Sequence, residues 1–136
     1  MVRAAPLQME PHPEEQGILT LIGTYAQAVN SADADLFENL FWHDDPRFCE
    51  VEVGRPWMSS RADLAELSEW IRQHGRPGNH QRFHDTAVHL LTPDVAYSVS
   101  LCDEFNPRKT SRVTLIYLRR GDEWRIIHGH FSPMPE

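Results

Sequence analysis

Apolar residues recur at three- and four-residue intervals in the first half of the chain and alternate with polar ones in the second. Ile18, Leu19, Ile22, Tyr25, Ala26 and Val29 mark one face of a helix that starts near Glu14 and ends at Asn30 and Ser31. Asp33 opens a second short helix through Leu36, Phe37, Leu40 and Phe41, so the pair forms a tight αα-hairpin. His43, Asp44, Asp45 and Pro46 read as a turn, and Phe48 to Val53 as a short alternating strand. Gly54, Arg55 and Pro56 turn the chain again. Ser59 or Ser60 then caps a third helix with Leu64, Leu67, Trp70 and Ile71 on its inner face, ended by Gly75, Pro77 and Gly78.

Three long strands and a return strand follow. They run from about Arg82 to Leu91, from Val95 to about Phe105, from Ser111 to Arg120 and from Glu123 to Ser132. Pro93-Asp94, Asn106-Pro107 and Gly121-Asp122 supply the turns, the last a two-residue hairpin. Helices first and hairpin-linked strands afterwards predict an α+β fold, an antiparallel sheet with helices on one face. Pro6, Pro11 and Pro13 break regular structure, so residues 1–13 read as a flexible arm and residues 14–136 as one domain.

Composition narrows the function. The chain has 136 residues with 40% hydrophobic and 24% charged, enough for one core without a staple. A formal net charge of -7 and no basic stripe argue against nucleic acid and anionic membranes as partners. No stretch has the length and apolarity of a membrane span or signal peptide, so a cytoplasmic protein is expected. Cys49 and Cys102, the only cysteines, sit in apolar strand-like runs and read as two buried free thiols.

The ending Arg119-Arg120-Gly121-Asp122-Glu123-Trp124-Arg125-Ile126-Ile127-His128-Gly129-His130-Phe131-Ser132 resembles the last hairpin of SnoaL-like domains. It is similar as well to the ending of the calcium/calmodulin-dependent kinase association domain. Tyr25-Ala26-Gln27-Ala28-Val29-Asn30-Ser31-Ala32-Asp33 resembles the exit of the family's first helix, and the order of elements matches too. The resemblance, to the SnoaL-like/NTF2-like (ketosteroid isomerase-like) superfamily, implies a cone. A curved sheet wraps a long helix, leaves a pocket at the open end and commonly pairs as a homodimer. Members include dehydratases, dehydrochlorinases, isomerases, cyclases and epoxide hydrolases as well as non-catalytic assembly modules, so fold alone does not choose a function.

In the scytalone dehydratase and dehydrochlorinase branch, an Asp at the first-helix exit works with a strand His. Here that position is Asn30, which can orient an imidazole but not neutralise it; Asp33 and Asp35 lie nearby as helix-capping residues. His84 falls near the branch's strand His. Strict alternation puts it on one face with Thr86 and Val88, opposite Phe83, Asp85, Ala87 and His89. The same alternation puts His128 and His130 on one face with Trp124, Ile126 and Ser132, as pocket groups, interface residues or half of a metal site. Only one of Asp103 and Glu104 can point inward, and desolvation would raise the pKa of an inward carboxyl. Arg112 and Thr114 could hold a substrate carboxylate, or Arg112 could pair with Glu104 or Asp103. His43-Asp44-Asp45 is a turn expected near the cone mouth, and Trp42, Trp57 and Trp70 are expected in the core or pocket wall.

The leading expectation is a cofactor-independent acid/base enzyme of lyase, isomerase or cyclase type acting on a small apolar ligand. Its proton carriers would be His84 or His130, partnered by Asp103 or Asp45. Asn30, Tyr25, Arg112, Thr114, His128 and Trp42 would bind substrate. The alternatives are a non-catalytic binding or assembly domain and a metal-dependent enzyme using His128 and His130. No cofactor fingerprint is present.

Overall fold

The computed structural model describes residues 12–51, 61–74, 81–104 and 108–135. The expected arm up to Pro11 lies outside these residues. So do the Gly54-Arg55-Pro56 turn, Trp57, the Ser59 or Ser60 cap, the Gly75-Pro77-Gly78 terminator, Phe105 and the Asn106-Pro107 turn.

Helix α1 (Pro13–Asn30) begins with proline at its first position, where the missing N–H costs nothing, and with the His12 ring accepting from Glu14 N–H. Ala32, at φ 58°, breaks the chain out of helix. Asp33 then accepts from Leu36 N–H and caps α2 (Ala34–Glu38), shorter than the run to Phe41 that the pattern suggests. Phe41 instead bridges to Ile126. Strand β1 (Cys49–Val51) and helix α3 (Arg61–His74) follow. Leu64, Leu67 and Ile71 are buried on α3, which packs against α2. Trp70, expected inside, is 48% exposed.

The strands β2 (Gln81–Thr92), β3 (Val95–Glu104), β4 (Lys109–Arg120) and β5 (Glu123–Pro133) pair antiparallel in sequence order. β1 adds to β5 in parallel, giving the curved sheet order β1-β5-β4-β3-β2. The inner face is packed with aromatics. Tyr25 of α1 makes edge contacts with Phe37, Phe41 and Phe83 at ring separations of 5.2, 6.1 and 5.3 Å and lies 6.1 Å from Phe131. Each such pair adds roughly 0.5–1.5 kcal/mol beyond the area it buries.

Two irregularities decide which side chains face outward. Pairing in β2 slips between His84 and Ala87, where Asp85 takes φ 52°, a bulge conformation. Phe83, Val88 and Leu90 therefore all pack on the core, while His84 pairs beside Leu101 and His89 beside Tyr97 on the outer face. The expected grouping of His84 with Val88 is corrected by this extra residue. Likewise β5 slips at Ile127, so Trp124, Ile126 and Phe131 turn inward while His128, His130 and Ser132 pair beside the outward Ile116, Thr114 and Arg112. Trp124 and Ile126 thus do not share a face with the histidines.

Candidate functional site

The outer face carries a grid set by strand register. One row runs His84, Leu101, Arg112, Ser132; the next runs Ala87, Val99, Thr114, His130; a third runs His89, Tyr97, Ile116, His128. A depression of about 450 Å³ opens on this face, lined by Val99, Leu101, Arg112, Thr114, His130 and Ser132 among others.

His84 sits at the head of the first row, held at both ring nitrogens. Nε2 lies 3.1 Å from Asp103 Oδ2, off the axis of an aligned hydrogen bond and so best described as an ion pair. Nδ1 lies 2.9 Å from Asp85 Oδ2. Asp103 is only 3% exposed, yet it is not the desolvated base that its strand position suggested. Thr110 Oγ1 donates to its Oδ1 at 2.7 Å, Arg82 approaches at 3.5 Å, and these partners with His84 hold its pKa below the ordinary 3.8. Asp103, then Asp85, conversely hold the His84 pKa above 6.5, against the opposing effect of burial. The bulge is what brings Asp85 to the ring. Its carboxylate is 77% exposed, so it is the replaceable partner and Asp103 the fixed one.

Arg112 pairs with neither expected acid. Glu104 takes Lys109 at 3.2 Å, Asp103 takes His84 and Arg82, and among the described residues Arg112 reaches the Pro133 carbonyl alone, at 3.4 Å. Arg112 lines the depression together with Thr114 and His130. His128 points outward, but its Nδ1 lies 2.9 Å from the Cys49 carbonyl, which only accepts, so Nδ1 carries the proton. Among the described residues, no three His, Cys, Asp or Glu side chains converge to hold a metal.

Other sequence candidates are placed elsewhere. Asp45 is buried between Arg47 at 2.8 Å and Arg120 at 3.2 Å, which hold its pKa far below the carboxylate range. Arg120 is eight residues along β4 from Arg112, roughly 26 Å at strand rise, so Asp45 is no partner for His84. Trp42 belongs to the same end: its Nε1 donates to Leu118 O at 2.8 Å, and Arg120 and Arg125 stack on its ring at 4.4 and 4.5 Å. The His43-Asp44-Asp45 turn is thus an ionic clasp on the β4–β5 hairpin. Asn30 ties α1 to the start of β2, donating to Gln81 O at 3.0 Å and accepting Gln81 N–H at 2.6 Å. Its amide is committed to backbone and orients no imidazole. Tyr25 is buried in the aromatic core, its hydroxyl 3.5 Å from Glu50 Oε1.

Glu50 was missed, although its signal was present. Alternation through Phe48-Cys49-Glu50 puts the acid on the face of a buried phenylalanine, and Glu50 is 0% exposed. Opposite it stands Gly129, where a Cβ would come within 3.0 Å of both Glu50 Oε1 and Leu115 Cδ2. Thr110 and Asp85 had no sequence signal, because only the fold and the bulge bring them to the pair.

Residues 18–136 match the SnoaL-like domain. This chain belongs to that family. Several solved structures share its fold. A Caulobacter vibrioides protein with a cystatin-like fold is 22% identical over 89% of each chain, with a TM-score of 0.75. The association domain of C. elegans CaMKII is 17% identical over 88% of this chain and 95% of its own, with a TM-score of 0.68. An NTF2-like protein of Streptomyces avermitilis, provisionally assigned as a dehydratase, is 18% identical over 92% of this chain and all 100% of its own, at 0.70. These identities establish shared fold alone. No curated protein matches this SnoaL-like chain at a significant level. Among the described residues no helix is long and apolar enough to cross a membrane.

Proposed function

We propose that this SnoaL-like domain is a small-molecule acid–base catalyst with His84 as its proton carrier. The observation that carries the reading is a buried carboxylate, Asp103, fixed by Thr110 and set 3.1 Å from His84 Nε2. This arrangement orients the ring and steadies its positive charge. The proton in play is then on Nδ1, which a substrate reaches by displacing the exposed Asp85. Elimination and isomerisation both begin with such a transfer, and a positioned imidazole accelerates it by roughly 10²–10⁴-fold. The test is hydrogen–deuterium exchange into a panel of small carbon acids, followed by NMR. Exchange should fall by about a hundredfold or more in His84→Asn. Equal exchange by the wild type and His84→Asn would remove the assignment.

A second reading has its own support. The outer face also carries apolar groups: Val99 is 41% exposed, and Tyr97 is half-buried. The fold is shared with an association domain. Self-association through this face would cover them. Sedimentation at micromolar concentration tests it, and a strictly monomeric chain would end the assembly reading.

A further inference from the structure

The grid on the outer face is graded from polar to apolar. Arg112, Thr114, His130 and Ser132 supply donors from two adjacent strands, and Val99 and Leu101 form the apolar floor beside them. In the first row Leu101 alone separates Arg112 from His84, a span of two strand spacings, roughly 10 Å between α-carbons. Arg112 and Asp85 line the depression, and His84 stands at its edge, next to Leu101 in the row and 2.9 Å from Asp85. Among the described residues the exposed guanidinium has one hydrogen-bond partner, a backbone carbonyl 3.4 Å away, which leaves most of its fork for a carboxylate. Asp85, the one acid among the described residues that line the depression, is turned to the His84 ring at 2.9 Å.

We propose that this depression binds a small amphipathic monocarboxylate: its head on Arg112 with Thr114, His130 and Ser132, its hydrocarbon on Leu101 and Val99, and its far carbons directed past Leu101 toward the edge where His84 stands. The proposal rests on the acid–base reading and names the substrate class for that site. A volume of about 450 Å³ is within the range of pockets for such molecules. A bare inorganic anion would use the donors but leave the apolar floor wet. A neutral amphiphile would use the floor but leave Arg112 without a charge partner.

Benzoate, benzamide and sulfate are the probes, titrated into the protein while imidazole and arginine side-chain NMR signals are followed. Benzoate should shift His130 and Arg112 and bind about tenfold or more tightly than either benzamide or sulfate. Arg112→Gln, at an exposed position that leaves the fold intact, should weaken benzoate by a similar factor. Benzoate that moves neither signal, that binds no better than benzamide or sulfate, or that is indifferent to Arg112→Gln would overturn the proposal. If His84→Asn keeps full carbon-acid exchange while Arg112→Gln loses benzoate, the acid–base reading falls and the carboxylate site stands.

Discussion

Two buried carboxylates lie on opposite faces of one sheet. Glu50 is 0% exposed on the inner face, among Tyr25, Gly129 and the aromatic core; Asp103 is 3% exposed on the outer face. Nearly equal burial has given them different surroundings. Asp103 accepts from Thr110 and pairs with His84 and Arg82, and remains an anion that orients a titrating ring. Glu50 is built into the packing, with a glycine opposite where a Cβ would crowd Glu50 and Leu115. Burial alone therefore does not mark a working acid. What marks it is a fixed partner on one side and an accessible one on the other.

The comparison predicts that the inner face carries stability and the outer face carries function. Phe131→Ala, which empties a site beside Tyr25 and Phe83, should cost about 3–5 kcal/mol in urea unfolding. Gly129→Ala should cost about 1–3 kcal/mol, because a methyl group there meets Glu50 and Leu115. Asn30→Ala leaves Gln81 N–H and C=O without their clamp, for about 1–3 kcal/mol by the same assay. Val99→Thr on the outer face should cost under about 1 kcal/mol of monomer stability while reducing any self-association. Equal losses for Phe131→Ala and Val99→Thr would erase the distinction between the faces.

Much of this division was legible in the chain. Helical spacing in α1 and alternation in β3 and β4 gave the elements, and the ending from Arg119 to Ser132 pointed to the family. Alternation also put Arg112 and Thr114 on one face, whereas the chain left open whether His84 or His130 meets Asp103 or Asp45. Faces were not legible wherever a strand slips. One inserted residue at Asp85 and one at Ile127 invert the faces expected for Val88, Trp124 and Ile126, and neither bulge has a glycine to announce it. Asp45 misled for another reason. An acid beside a histidine looks like chemistry, but arginines distant in sequence, Arg120 above all, decide its role.

The ion pair also sets a pH window. His84 is stabilised as the cation, so its contribution is full below the ordinary 6.5 and is lost as pH rises through its higher folded value. Asp103 is stabilised as the anion, so its contribution is full above 3.8 and is lost as pH falls through its lower folded value. Between 3.8 and 6.5 both are present. The most direct measurement is an NMR titration of the His84 imidazole in the wild type and in Asp103→Asn. The account predicts a wild-type pKa above 6.5 that falls clearly toward it when the carboxylate is neutralised. A His84 that titrates identically in both proteins would show that Asp103 does not hold the ring, and would contradict the proposed proton carrier.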